Sequence, residues 1–225
     1  VDMNFEKSQY SINKGLWGTS VGGKETLTSN EALPESAFPT QVTKTQPEVL
    51  SLEFSKGELV AVNNEKFSRP VEAIQKVQKI AQPFGIGRDT HVGDTIIGIK
   101  GRVSFEAAAS LIIVKAHHLL EKHTLTKNEL LIKDQLSIPY GNFLHDGLVL
   151  DPVMKDIEAL FTSSQDKVSG LVKIQLQPYY FSMIGVESSN DLMSSKFGTY
   201  GEMNKTWTEK DVKGFSKIYS NALSI

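Results

Sequence analysis

The stretch from Phe84 to Glu106 places the strongest constraint on how this 225-residue chain can fold. It contains five glycines around a β-branched run at residues 95–97, with Ile99 behind the run. Such a run between glycines is typical of a buried strand whose ends lie in tight turns. Two interpretations remain open: a core strand with structural glycines, or a strand whose glycine-lined loops approach a ligand near Lys100 and Arg102.

Apolar residues at helical spacing, together with start signals, predict five helices. In the first, apolar residues recur every three positions from Val71 to Ile80, and Pro83 marks the stop. The predicted helices cover residues 69–82, Ser104 to about His123, Thr126 to before Pro139, a stretch that begins at Asp151-Pro152, and Thr208 to about Ala222.

Two hairpins are predicted between these helices. Residues 50–54 alternate between apolar and polar ahead of a Ser-Lys-Gly turn, and residues 172–186 alternate around an interruption at Pro178. The order of elements lacks a regular strand–helix–strand alternation. This order favours an α+β fold, with a mixed or antiparallel sheet and packed helices, over a doubly wound sheet.

The chain is predicted to hold one main domain at residues 48–206, an ordered arm at 1–47 and a C-terminal helix at 207–225. The last helix carries an apolar stripe that either a partner subunit or the same domain must cover. Because the chain opens on Val1 without Met, we expect it to be part of a longer protein. The stripe consists of Val212, Phe215, Ile218, Tyr219 and Leu223.

Composition excludes several classes of partner and site. The net charge is −2 with dispersed Lys and Glu, so neither a nucleic-acid nor a membrane partner is expected. The chain has no cysteine, which excludes disulfides and thiolate metal sites and is compatible with the cytoplasm. Because no apolar run reaches the length of a membrane span and the first residues lack a basic-then-apolar pattern, neither a transmembrane helix nor a signal peptide is expected.

The five histidines do not predict a metal site. His117 and His118 project from different sides of a helix, and His123 lies five residues beyond His118, so no pair has the HxxxH spacing. No nucleophile motif or dinucleotide-binding fingerprint occurs, and no catalytic residue is assigned. The residues by themselves predict an α+β domain with glycine-lined loops.

Several ordered segments resemble the argininosuccinate synthases. The stretch GIGRDTHVGDTIIGIKGRVSFEAAASLIIVKAHHLLEKHTLT is similar to the family pattern GxGRxDxVENRxVGxKSRxxYExPxxxxLxxAHxxLExxTL. Upstream, YSINKGLWGTSVGGKETL resembles the family's WSxDxNLxxxSxExGxLE. The resemblance extends from about Tyr10 to Ile218.

This resemblance implies an ATP-dependent carbon–nitrogen ligase of arginine biosynthesis. The family condenses citrulline with aspartate to argininosuccinate through a citrullyl-adenylate, as a cytoplasmic homotetramer. ATP with Mg would be bound mainly by an N-terminal nucleotide-binding domain. Residues 48–206 would be the synthetase domain, and residues 207–225 would be the C-terminal oligomerising helix. We therefore expect this chain to be inactive without that N-terminal domain. The alternative is a non-catalytic, self-associating α+β interaction module.

The resemblance also implies which residues bind citrulline. Ser11 and Ser20 match the two serines that hold citrulline, and a hydroxyl can both donate and accept a hydrogen bond. The family's citrulline-binding Glu falls on Gly93, and its Tyr falls on Phe105, so two polar groups are missing. Two hypotheses follow: Asp94 supplies a substitute carboxylate, or the substrate is a citrulline whose α-amine is acylated.

Overall fold

The computed structural model describes residues 9–95, 97–193 and 206–221. They form two compact units, of which the first ends at Asn190 and the second begins at Asp191. The elements are β1 (Ser11–Gly15), β2 (Gly18–Gly22), β3 (Glu48–Ser55), β4 (Glu58–Val62), β5 (Glu65–Lys66), α1 (Pro70–Ala81), β6 (Arg88–Asp94), β7 (Lys100–Glu106), α2 (Ala108–Thr124), α3 (Lys127–His145), α4 (Pro152–Gln165), β8 (Gly170–Gln177), β9 (Tyr180–Glu187) and α5 (Glu209–Ser220).

The first unit contains two antiparallel sheets, which confirms the predicted α+β class. The larger sheet has the order β5-β4-β3-β8-β9, and both predicted hairpins lie in it. The smaller sheet, which we call the site sheet, has the order β1-β2-β7-β6. In the site sheet β7 therefore lies between the hairpin partner β6 and the N-terminal strand β2.

The hydrophobic core lies between the larger sheet and the helices α1 and α2. One face of β3 and β8 is apolar because their side chains alternate, and this face is fully buried. Helix α2 is apolar on several sides, as predicted for a central helix, and packs against β2, β3 and β8. The largest fully buried core side chains include Phe84, Leu50, Leu52, Ile86, Ile112, Leu120, Ile174 and Leu176.

The prediction of a buried strand in this stretch is wrong for residues 95 and 97–99, which the structure describes. They lie in the turn between β6 and β7, where the N–H of Thr95 donates to the carbonyl of Ile99 at 2.9 Å. Gly98 has a φ of +78°, which suits the turn, and Ile97 and Ile99 are exposed. The β-branched run was misleading because turn geometry at Gly98 outweighed the strand propensity of its neighbours.

Two helix ends also differ from the prediction. Ser104 does not cap α2: it is buried in β7, where its hydroxyl lies 2.9 Å from the hydroxyl of Thr90. A side chain of α1 instead accepts a hydrogen bond from a free backbone N–H at the start of α2: the N–H of Ala109 donates to Gln78 Oε1 at 2.9 Å. That tertiary contact has no local sequence signal.

Helix α3 does not end before Pro139 but continues to His145. A proline inside a helix removes one N–H donor, whose acceptor here would be the carbonyl of Gln135. Gln135 is exposed, so water can replace the missing donor. The predicted capping box at the start of α3 is confirmed, because Thr126 and Glu129 exchange both hydrogen bonds.

Residues 11–22, within the predicted arm, supply β1 and β2 of the site sheet. In the second unit, α5 begins with a capping box between Thr208 and Asp211, as expected. The stripe residues Val212, Phe215, Ile218 and Tyr219 are exposed. Leu223, Ala222 and residues 194–205 of the predicted loop lie outside the described residues.

Candidate functional site

One face of the site sheet collects all the positions that match citrulline-binding residues. Directly opposed residues of an antiparallel pair point to the same face, and successive residues alternate. Ser20 of β2 lies opposite Phe105 of β7 on one side and opposite Asn13 of β1 on the other. Ser11 is two residues before Asn13 and so points to the same face as Asn13. Gly93 pairs with Gly101, four residues from Phe105 on the same strand. Ser11, Ser20, Gly93 and Phe105 therefore share one face, which we call the open face.

The opposite face of the site sheet is buried against the N-terminal arm. Thr19 and Val21 of β2 alternate with the open-face residues and are at most 6% exposed. Ser104 and Glu106 of β7 are similarly buried. Because one face is covered, the register is fixed, and a slip of one residue would turn every open-face residue inward.

A guanidinium group joins the arm to this buried face. Arg88 Nη1 lies 2.5 Å from Glu35 Oε1, and Nη2 donates to the carbonyl of Thr40. The same guanidinium lies over the Phe38 ring, with its Cζ 4.4 Å from the ring centroid. Its Nε lies 3.8 Å from Glu106 Oε2, in a side chain that is only 8% exposed.

Glu106 completes this cluster with bonds to the same arm residue. Thr40 Oγ1 donates to Glu106 Oε1 at 2.8 Å, and the Thr40 N–H donates to Oε2 at 3.3 Å. Glu106 is 5% exposed, and these donors together with Arg88 compensate the burial of its carboxylate. The arm is therefore held to β6 and β7 by charge-assisted contacts.

The open face is lined by small and aromatic side chains around Ser20. A cavity of about 470 Å³ contains Asn13, Trp17, Ser20 and Phe105 among its lining residues. Gly18 approaches the start of α2 so closely that an added Cβ would lie 2.9 Å from Ala107 Cβ. A second cavity of about 450 Å³ lies on the other side of Phe105, beside Asp89 and Tyr180. Phe105 thus separates two depressions along the face.

The ring of His91 occupies the space that a side chain at Gly93 would need. A Cβ added to Gly93 would lie 2.4 Å from His91 Nε2, and His91 is on the same face because it is two residues away. The φ of Gly93 is outside the left-handed region, so the backbone itself permits a side chain there. The prediction from sequence identified the missing carboxylate but did not identify the imidazole beside it.

Asp94 is not brought to the open face. As the residue after Gly93, it points to the other side of the sheet, and its Oδ1 lies 2.5 Å from Lys100 Nζ in an exposed ion pair. Arg102 Nη1 and Nη2 each donate at 2.6 Å to main-chain carbonyls, those of Thr28 and Glu31. Lys100 and Arg102 thus contact a neighbouring carboxylate and the arm.

A buried carboxylate on α2 forms a second polar cluster, away from the site sheet. Glu121 is fully buried; Gln165 Nε2 donates to it at 2.8 Å, and Lys133 Nζ lies at 3.1 Å. His117 Nε2 lies 2.9 Å from Gln165 Oε1, and its Nδ1 lies 3.6 Å from Glu121 Oε1. The cluster joins α2, α3 and α4 and borders a cavity of about 510 Å³.

The pKa of His117 is lowered by burial, and the nearby Glu121 carboxylate offsets only part of this effect. The imidazole is therefore neutral near pH 7, where its Nε2–H can donate to Gln165 Oε1. Gln165 in turn donates to Glu121, so the hydrogen-bond chain runs from imidazole to amide to carboxylate.

Two possible features are missing from the part of the chain that the structure describes. No group of three or more His, Asp or Glu side chains in residues 9–95, 97–193 and 206–221 is arranged to hold a metal ion. None of the helices in these ranges is both long enough and apolar enough to cross a bilayer.

The fold and the site together define an α+β domain with one buried and one open face on a four-stranded sheet. Comparison with known sequences gives the family. The profile of the family described as "Arginosuccinate synthase C-terminal domain" matches residues 10–225. The chain belongs to this family.

Curated relatives agree with this assignment. An argininosuccinate synthase of Dehalococcoides mccartyi is 37% identical over 198 residues, which cover 86% of this chain and 48% of the relative. That of Methanocaldococcus jannaschii is 33% identical over 217 residues, covering 95% and 54%. That of Sulfurisphaera tokodaii is 31% identical over 222 residues, covering 97% and 56%. The chain spans about half the length of the curated relatives it matches.

Replacing Arg88 with Ala should destabilise the protein by about 3–5 kcal/mol, because it leaves the Glu106 carboxylate buried without its cation. Urea unfolding followed by tryptophan fluorescence measures this cost. The double variant Arg88→Ala, Glu106→Gln should recover part of it. Arg69→Ala removes an arginine from an exposed ion pair with Glu72 and should cost at most about 1 kcal/mol. Equal costs for the two arginines would contradict the proposed role of Arg88.

The free energy of unfolding should fall as the pH drops below about 6.5, the ordinary histidine pKa that applies in the unfolded chain. Stability falls in acid because the pKa of His117 is lowered in the folded protein. The unfolded chain therefore binds a proton at this imidazole more readily than the folded chain does, and acid favours unfolding. Thermal unfolding at several pH values from about 7.5 to 5.5 tests this. His117→Gln should make the pH dependence shallower, and an unchanged slope would contradict the assignment.

Proposed function

We propose that this chain is the C-terminal portion of an ATP-dependent ligase that joins citrulline, or an N-acylated citrulline, to aspartate and so acts in arginine biosynthesis. The observation that carries this proposal is the common face of Ser11, Ser20, Gly93 and Phe105. These four positions, matched by resemblance alone, come from four different strands. Family membership favours this ligase over a non-catalytic self-associating module.

The proposed reaction activates the ureido oxygen of citrulline. This oxygen attacks the α-phosphorus of ATP, pyrophosphate leaves, and a citrullyl-adenylate forms. The amine of aspartate then attacks the ureido carbon, AMP leaves with the former ureido oxygen, and the amine releases a proton. The adenylate is a better leaving group than the original oxygen, so the reaction depends mainly on holding the reactants together.

The part of the open face around Ser20 is suited to holding a ureido amino acid. The Ser20 hydroxyl can accept from an N–H group or donate to a carbonyl or carboxylate oxygen, and it lines the same cavity as Asn13. Trp17 and Phe105 add apolar walls that exclude water from the methylene chain of the substrate. We assign these residues to substrate positioning and assign no residue of this chain to proton transfer.

ATP and its Mg are proposed to bind mainly to a part of the protein outside this chain, and the chain by itself to be inactive. The relatives are about twice as long, which leaves room for a nucleotide-binding domain. The exposed stripe on α5, where Phe215 and Tyr219 stack with ring centroids 5.5 Å apart, is proposed to contribute to a homotetramer. Cytoplasmic location remains a prediction.

In the full-length enzyme, Ser20→Ala should raise the KM for the ureido substrate roughly tenfold, because one hydrogen bond to the substrate is lost. The KM values for ATP and aspartate should change little. Steady-state assays of pyrophosphate release provide the measurement. Ser137→Ala, which removes an exposed serine of α3, is the matched control. An unchanged KM for the ureido substrate in Ser20→Ala would remove the main support for placing it on this face.

A further inference from the structure

A row of four directly opposed residues crosses the open face from β1 to β6. Ser20 lies opposite Asn13 on one side and opposite Phe105 on the other, and Phe105 also lies opposite Asp89. Opposed residues point to the same side of a sheet. Neighbouring strands lie about 4.8 Å apart, so Asp89 is about 10 Å from Ser20 across the sheet. The row therefore begins with uncharged hydrogen-bonding groups and ends on a carboxylate, with an aromatic ring between them.

The cavity on the far side of Phe105 carries two charges of opposite sign. Asp89 of β6 and Lys115 of α2 both line this cavity of about 450 Å³, and most of its other lining side chains are apolar or aromatic. Arg88 also lines it, but its guanidinium belongs to the buried cluster with Glu106. An apolar cavity with a few convergent polar groups is the usual form of a small-molecule site.

The charges of Asp89 and Lys115 are accessible to a ligand. Both residues are exposed, and neither forms an ion pair with another residue that the structure describes. Asp89 Oδ1 accepts the N–H of Thr90 at 2.7 Å, which orients the carboxylate. Lys115 Nζ lies 5.4 Å from the centroid of the Phe181 ring. A ligand that carries one ammonium and one carboxylate group is complementary to this pair.

The head group of a free α-amino acid has these two charges. Its ammonium group can donate to the Asp89 carboxylate, and its carboxylate can accept from the ammonium group of Lys115. The side chain of citrulline is neutral, so its two charges are matched one to one. Aspartate carries a second carboxylate, which Asp89 would repel. Of the two amino acids in the proposed reaction, citrulline is the better match.

The length of citrulline also fits the row. Seven bonds separate its α-nitrogen from its ureido oxygen, which gives an extended length of about 8 Å. This length is close to the separation of Ser20 and Asp89 across the sheet, about 10 Å. One molecule can therefore reach from the Ser20 cavity past Phe105 into the cavity beside Asp89.

We infer that Asp89 and Lys115 are specificity-determining residues that bind the α-ammonium and α-carboxylate groups of free citrulline. The ureido end lies at Ser20, and the methylene chain crosses the Phe105 ring. The inference rests on the proposed ligase function and selects free citrulline over an N-acylated form, because acylation removes the charge that Asp89 binds. It also provides a carboxylate on the strand where Gly93 lacks one.

Steady-state kinetics of the full-length enzyme test Asp89 by comparing citrulline with 5-ureidopentanoate, which lacks only the α-amino group. Asp89→Asn keeps the acceptor for the Thr90 N–H but removes the charge, and it should lower kcat/KM for citrulline at least about tenfold. It should not lower kcat/KM for 5-ureidopentanoate, and Asp89→Glu should retain part of the activity with citrulline. Asp94→Asn, which removes a carboxylate from the opposite face of the same strand, is the matched control.

Lys115 is tested with citrullinamide, in which an uncharged amide replaces the α-carboxylate. Lys115→Gln should lower kcat/KM for citrulline at least about fivefold, because one charge-assisted hydrogen bond is lost. The same variant should not lower kcat/KM for the amide, and equal losses with both compounds would overturn the assignment of Lys115. Lys122→Gln, which removes an exposed lysine about two turns further along α2, is the matched control.

Three results would overturn the assignment of Asp89. Asp89→Asn could leave kcat/KM for citrulline unchanged or lower it equally for both ureido compounds, or wild-type enzyme could use Nα-acetylcitrulline as efficiently as citrulline. Failure of the ligase proposal is a different result, namely no pyrophosphate release from ATP with citrulline and aspartate. Calorimetric titration with citrulline then decides: binding that Asp89→Asn weakens and Asp94→Asn does not would support the assignment, and no binding would overturn it.

Discussion

The contact of Arg88 with Glu106, Glu35 and Thr40 is the interaction on which the candidate site depends. It connects the first residue of β6, the last residue of β7 and the arm in one buried cluster. A charged group that is 8% exposed must be compensated by partners, and here the partners belong to two separate segments, β7 and the arm. Their positions fix which face of the site sheet is covered, and the other face is left for ligand.

The central strand of the site sheet also connects this face to the hydrophobic core. β7 leads directly into α2, whose start is approached by Gly18 from β2 and by Gly87 from the segment before β6. A Cβ on Gly87 would lie 2.6 Å from the carbonyl carbon of Ala107, so only glycine permits this approach. The open face therefore rests on a rigid support, which suits a site that works by positioning reactants.

Much of the fold could be predicted from sequence, because its signals are local. The apolar period of α1, the capping box at Thr126 and the alternation in β3 and β8 all led to the observed elements. Apart from the turn at Gly98 and the continuation of α3 past Pro139, the differences arise where non-local contacts decide. The start of α2 depends on Gln78 from another helix. β1 and β2 are strands because they pair with each other and β2 pairs with β7, although their own sequence alternates weakly.

The candidate site could be predicted only in part. The resemblance located Ser11, Ser20, Gly93 and Phe105, but it contained no information about which face each one occupies. Asp94 was the nearest carboxylate in sequence, and strand alternation turns it away from the others. The same alternation places Asp89 on the open face, four residues before Gly93, once residues 88–94 are known to be a strand. A correct strand assignment was therefore the missing step.

The central claim is that the ureido substrate lies on the open face of the site sheet. A crystal structure of the full-length enzyme with citrulline and a non-hydrolysable ATP analogue tests this most directly. We expect the ureido compound to lie between Ser20 and Phe105, in the cavity that these two residues line. Density for the compound in the cavity beside Glu121, or on the face that carries Asp94, would contradict the account.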